Sequence, residues 1–144
     1  MMSKFSIVAP LLLVVSGSLV YHVAAKSVPR ALDPFGALMG VYATALIASF
    51  IAYAIIRRGT TPPGLSALWH PTVAGVGLGA LMIELGFLLT YRAAWPVSMA
   101  SVMTNGLVAV LLIPIGALVF GEAVTALRVA GVLLCLLGVF LLQR

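Results

Sequence analysis

Three acidic side chains occur in the 144 residues, Asp33, Glu84 and Glu122, and the second stands where an acid is costly. Glu84 lies in the stretch GALMIELGFLLTYRAAW, between Ile83 and Leu85. On insertion scales a charged residue at the centre of a membrane helix costs roughly 2.5 to 3.5 kcal/mol. Such residues characteristically turn toward a cavity or a partner. A carboxyl lowers the cost by holding a proton. At 100° per residue, Gly77 and Tyr91 fall within about 20° of Glu84 on a helix, and Ala80 within about 40°. One face therefore reads Gly77, Ala80, Glu84, Tyr91, and its small residues leave room beside the acid for a ligand or a closely packed helix. The chemistry this predicts is proton or cation binding at a substrate cavity. The competing reading is a glutamate bonded to another helix or reaching toward Arg92.

A second polar stripe, Ser98, Ser101 and Asn105, has spacings of three and four. Asn105 is its unusual member, because an amide in lipid requires hydrogen-bond partners, whereas serines readily bond their own backbone. Pro114, in the same run, removes a helical hydrogen bond and frees a carbonyl, which suits a moving wall. Tyr42, Ser49 and Tyr53 share a face of another run, and Ser18, Tyr21 and His22 cluster at the end of the first. Other chemistries have no pattern to support them. Cys135 is the single cysteine, and the two histidines are far apart, so no metal-ligand spacing exists. No serine, histidine and acid combination indicates nucleophilic catalysis. Gly75, Gly77 and Gly79 lie in an apolar run with no strand before them, where helix packing is a better account than a nucleotide loop. Glu84, His22 and Asn105 could form an enzyme site on paper, but no motif fixes their geometry. The expectation is a protein that is not an enzyme and uses neither metal nor cofactor.

The elements that must position these residues follow from composition. The chain is 63% hydrophobic and 8% charged, where soluble domains carry roughly a quarter charged residues. Its mean hydropathy is +1.24. These values predict an all-α membrane protein, with the lipid bilayer as its solvent. The net charge is +5, but the eight Lys and Arg fall at the ends of apolar runs, without the basic stripe that nucleic-acid binding needs.

Five runs are long enough to be transmembrane helices, over residues 5–25, 35–56, 72–91, 97–120 and 126–142. They predict one five-helix bundle without a second domain or an internal repeat. The breaks between them, AKSVPRALDP, RRGTTPPGLSALWHP, RAAWP and GEAVT, carry the charges, prolines and turn residues. Thr125 is placed to cap the last helix. Tyr21, Tyr53, Trp69, Tyr91 and Trp95 fall near run ends, as an aromatic belt requires. Glycines at 36 and 40, 75 and 79, and 131 and 138 are spaced for close helix contact. Lys4, an apolar stretch and HVAAK also have the outline of a signal peptide, but the length of the apolar segment favours a retained helix.

Five crossings would place Lys4, Arg57, Arg58 and Arg128 on one side of the membrane and Lys26, Arg30, Arg92 and Arg144 on the other. Orientation follows an excess of Lys and Arg on the cytoplasmic side. With four on each side there is none. Copies inserted both ways and paired antiparallel would imitate the inverted repeats of transporters. Alternatively the Arg57–Arg58 doublet or the first helix fixes one orientation.

The ending NGLVAVLLIPIGALVFGEAVTALRVAGVLLCLLGVFLL resembles the carboxyl-terminal part of an EamA-type unit of the drug/metabolite transporter superfamily. GSLVYHVAAKSVPRALDPFGALMGVYATALIA fits the first two helices of such a unit more loosely. The resemblance covers nearly the whole chain as one five-helix repeat. Most members are similar to ten-helix proteins made of two inverted units, so the resemblance implies pairing, as a homodimer or with a similar chain. It also implies transport of a small-molecule substrate, an organic metabolite or drug, across a bacterial inner membrane. The recurring GE of the family corresponds to Gly121 and Glu122, with Glu122 structural, at the membrane edge and within reach of Arg128. Gly131 and Gly138 resemble the glycine-spaced dimer face of the small multidrug resistance proteins, four-helix members that work as antiparallel dimers. Their essential carboxylate is in the first helix, where this sequence has none, so that role does not pass by position to Glu84. A different expectation is a non-catalytic membrane partner, such as half of a heteromeric flippase or an assembly subunit.

Overall fold

The computed structural model describes residues 4–57, 64 and 68–142, and regular structure among them is entirely helical. The helices are α1 (Lys4–Ser27), α2 (Pro34–Ile56), α3 (Pro71–Arg92), α4 (Val97–Phe120) and α5 (Ala126–Leu142). They coincide with the five apolar runs to within two residues at either end. The Pro-Pro-Gly loop, apart from Gly64, and Arg58 and Arg144 of the charge balance lie outside the described residues. Helices α1 to α4 have 22 to 24 residues, about 33–36 Å at 1.5 Å per residue, against a hydrocarbon layer of about 30 Å. All four are long and apolar enough to cross a membrane. Helix α5, with 17 residues or about 26 Å, stands at the short end of the spanning range. The chain is an all-α, multi-pass membrane protein. Its outward side chains fit lipid rather than water: Leu118 is 87% exposed and Leu127 84%. Helix α2 is mostly apolar, interrupted only by Tyr42, Thr44, Ser49 and Tyr53, as suits a helix among hydrocarbon and other helices.

Helix ends are set by local chemistry. Asp33 caps α2: its Oδ2 accepts the Gly36 N–H at 2.8 Å, its carbonyl accepts from Ala37 at 2.9 Å, and Pro34 supplies a first helical residue that needs no N–H partner. His70 and Pro71 repeat the device at α3. The His70 carbonyl accepts from Val73 at 2.9 Å and Ala74 at 3.1 Å, and its Nδ1 lies 2.7 Å from the Thr72 hydroxyl. At α5 the Thr125 Oγ1 accepts from Arg128 N at 3.3 Å, the capping geometry that GEAVT leads one to expect. Helix α4 ends at Gly121, whose φ of 65° is left-handed, and the N–H groups of Gly121 and Glu122 both turn back to the Gly116 carbonyl. Helices α1 and α4 run through Pro10 and Pro114 respectively, each proline leaving one carbonyl without its helical N–H.

The described chain divides into two compact units. Residues 25–92 form one, containing α2, α3 and the connection from α1. Residues 1–24 and 93–144 contribute to the other, which holds α4, α5 and most of α1. In the first, α2 packs on α3, with Ala37, Leu38, Leu88 and Tyr91 buried. In the second, α4 packs on α5, with Ala100, Gly116 and Val139 buried. Helix α4 meets α5 tightly at Gly106, where an added Cβ would stand 3.2 Å from Val139 Cγ2. The spaced glycines make no such contact within the chain. An added Cβ would meet nothing within 4 Å at Gly40, Gly75, Gly79, Gly131 or Gly138, and at Gly36 only its own capping residue Asp33. Spacing puts glycines on one face but does not say what that face meets within the chain.

Substituting alanine at two glycines separates backbone need from space. Gly121→Ala forces a side chain into left-handed backbone and should lower stability by roughly 1–2 kcal/mol. Gly17→Ala, in the interior of α1 with open space around it, should not lower it. Thermal unfolding of the detergent-solubilised variants checks the difference; equal midpoints would refute the assignment of Gly121.

Candidate functional site

Glu84 sits three-fifths of the way along α3, half-buried, with Ile83 exposed on one side and Leu85 half-buried on the other. Its Oε2 is inaccessible and has no hydrogen-bond partner among the described residues. The phenol of Tyr42, on the packed helix α2, is in the same condition: its Oη is inaccessible and unpartnered. The Glu84 carboxylate is near enough to act electrostatically on that phenol. Two orphan polar atoms, one of them acidic, thus belong to neighbouring helices of one unit. An orphan of this kind is the exception among buried polar groups, which are normally satisfied.

The rest of the predicted α3 face divides by position. Gly77 is exposed, with open space where a Cβ would be, and Ala80 is half-buried. Tyr91 is 3% exposed, stacked on Phe87 at 5.9 Å between ring centroids, with Lys26 Nζ 5.6 Å from its own centroid. Tyr91 therefore serves the packing at the end of α3, about 10 Å along the axis from Glu84. Arg92 is committed elsewhere: its Nη2 donates to the Leu32 carbonyl, and no ion pair joins it to Glu84 among the described residues. The reading of Glu84 as reaching to Arg92 is set aside on that geometry.

Ser98, Ser101 and Asn105 belong to the other unit. The Ser101 hydroxyl bonds the carbonyls of Val97 at 3.0 Å and Ser98 at 3.1 Å, and Thr104 bonds Ala100 at 2.9 Å in the same way. These donors are spent on the helix backbone. Asn105 is exposed and lines an open groove of about 640 Å³ with Ser101 and Gly106 of α4 and Cys135 and Gly138 of α5. Ser98, on the same stripe, is exposed. Beyond Pro114, the Gly121–Glu122 turn shapes a smaller recess of about 160 Å³ that Arg128 also lines. Glu122 Oε2 and Arg128 Nη1 are 3.9 Å apart with side chains 63% and 62% exposed, and such pairs contribute about 0–1 kcal/mol. Arg128 Nη1 also donates to the Ala123 carbonyl at 2.9 Å. The Glu122 carboxyl lies where a Cβ on Gly116 would stand, at 3.2 Å, so Gly116 makes room for the acid of the GE pair.

No family model, curated protein or solved structure matches the chain. The site is therefore read from its own geometry. Among the described residues, no three of His, Cys, Asp and Glu gather as metal ligands would. The central pair is Glu84 with Tyr42. Periodicity placed Tyr42 on a polar face with Ser49 and Tyr53 but gave no reason to set that face against Glu84. The capping roles of Asp33 and His70 were also missed, although Asp-Pro and His-Pro at helix starts are the signal that would have found them.

Because the Tyr42 Oη has no partner, removing it takes away an unsatisfied group without breaking a bond. Tyr42→Phe should leave the thermal midpoint unchanged or raise it. Tyr91→Ala, which empties a packed aromatic position, should cost roughly 3–5 kcal/mol. A large loss of stability in Tyr42→Phe would show that the phenol has a structural partner.

Proposed function

We propose that the chain is a secondary transporter, or a transporter subunit, that moves a small organic solute across a bacterial inner membrane, with Glu84 as the proton-binding group. The observation that carries this reading is the inaccessible, unpartnered carboxylate oxygen of Glu84 within a helix long enough to span the bilayer. Membrane carboxyls without a structural partner mark ion and substrate pathways. In alternating access, Glu84 would hold a proton when open to one side and exchange it for solute when open to the other, so that binding of one displaces the other. Tyr42 offers a phenol beside that exchange. The small residues Gly77 and Ala80 leave space along the same helix face. In the other unit, Ser98, Ser101 and Asn105 are proposed to form a polar stripe of their own along α4, with Pro114 weakening that helix.

The unit is proposed to work in pairs of opposite orientation, within the EamA-like pattern that its last two helices resemble. Equal numbers of Lys and Arg on the two sides leave no charge bias against either orientation. A second reading, a non-transporting partner in a heteromeric assembly, is favoured by one observation: the Ser101 hydroxyl is spent on its own helix, which leaves fewer polar groups for a solute.

The test is solute-dependent proton movement in proteoliposomes containing a pH-sensitive dye, screened over amino acids, sugars, nucleosides and organic cations. At least one class should move protons with the native chain and none with Glu84→Gln. Retention of proton-coupled movement in Glu84→Gln would contradict the role of Glu84. Failure of every class with the native chain would favour the partner reading.

A further inference from the structure

At the end of the α2–α3 unit, three cations converge on one short connection. Lys26, in the last turn of α1, lies over the ring of Tyr91 at 5.6 Å. Arg92, the last residue of α3 and the next after Tyr91, donates through Nη2 to the carbonyl of Leu32. Between Lys26 and Leu32 the chain turns, with Leu32 N bonded to the Pro29 carbonyl at 3.1 Å, and Arg30 is at the corner of that turn, exposed. The two tethers hold Lys26 and Arg92 at this connection, and Arg30 lies in its turn. We propose that this site binds a phosphate group, carried by an anionic phospholipid headgroup or by a free phosphate.

Charge and geometry carry the proposal. The single acid in the connection, Asp33, is committed to the start of α2 through Gly36 N. Glu84 is eight residues from Arg92, about 12 Å along the helix. Arg92 gives Nη2 to a neutral carbonyl and keeps its charge, and its inaccessible Nε would make no contact with a ligand. Three cations against one acid leave positive charge that a phosphate would neutralise, and the exposed Arg30 supplies a planar guanidinium fork that matches phosphate oxygens. The ends of α1 and α3 attract cations through their helix dipoles, which accounts for Lys26 and Arg92. That attraction does not account for Arg30, which lies outside both helices. Lys26 and Arg92 end membrane-length helices and Arg30 lies in the connection beside them, the depth at which lipid phosphates lie, where basic pockets bind anionic headgroups.

The test uses the full chain in a zwitterionic detergent, with phosphatidylglycerol, phosphatidylcholine of the same acyl chains and inorganic phosphate as probes, read by native mass spectrometry and by thermal midpoint. Phosphatidylglycerol should bind at least fivefold more tightly than phosphatidylcholine. Arg30→Gln, at an exposed residue, should weaken it about fivefold, the effect of one surface cation. Arg128→Gln, an equal charge change in the other unit, should not weaken it. Competition by inorganic phosphate would assign the site to a free anion, and lack of competition would assign it to the lipid. Equal binding of the two lipids, or equal loss in Arg30→Gln and Arg128→Gln, would overturn the proposal.

Discussion

Hydrocarbon offers no hydrogen bonds, and that constraint organises this protein. Each polar group carried into the bilayer must be satisfied by the chain itself. The backbone meets the demand by folding into helices, and hydroxyls meet it by bonding carbonyls three or four residues back. Ser16, Thr44, Ser49, Thr90, Ser101 and Thr104 all do so. Against that background the Glu84 carboxylate and the Tyr42 phenol stand out, because neither has used a local solution. A serine can hide its donor in its own helix; an ionisable carboxyl and a phenol held away from the backbone cannot.

The same constraint explains how the helices stop. Where the chain leaves the apolar layer, its end groups are capped by residues that also tolerate water: Asp33 with Pro34, His70 with Pro71, Thr125, and the left-handed Gly121. These caps fix one end each of α2, α3, α4 and α5, while the unbroken helix from Glu84 to Arg92 sets how far the acid lies from the charged end of α3. The distance matters for function. Arg92, about 12 Å along the helix, is tied to Leu32 and leaves Glu84 without a cationic partner. An acid paired to Arg92 would be a structural fixture, whereas an acid without a partner is available to a proton or a ligand.

Helix positions were legible in the sequence because the apolar runs are long and their breaks carry charge, proline or glycine. Residue faces were legible too, as periodicity alone places Gly77, Ala80, Glu84 and Tyr91 together. What periodicity cannot give is the partner of a face. The glycines at 131 and 138 have helix-contact spacing, yet among the described glycines it is Gly106, where no glycine pattern pointed, that meets the facing helix at Val139. Tyr91 shares the face of Glu84 but is held by Phe87 and Lys26. Tyr42 lies on the packed helix α2, and its phenol shares the inaccessible, unpartnered state of the Glu84 carboxyl. Contacts across helices depend on packing between elements distant in sequence, for which a single chain's pattern carries little signal.

We propose that Glu84, alone among the three acids, is a carboxyl in an apolar setting that takes up and releases a proton. Modification by a hydrophobic carbodiimide, which reacts with protonated carboxyls inside membranes, tests it directly when peptide mass spectrometry locates the adduct. The account predicts modification of Glu84 that declines as pH rises, with Asp33 and Glu122 unmodified and no adduct in Glu84→Gln. Modification at Asp33 or Glu122 with none at Glu84 across the pH range would contradict it.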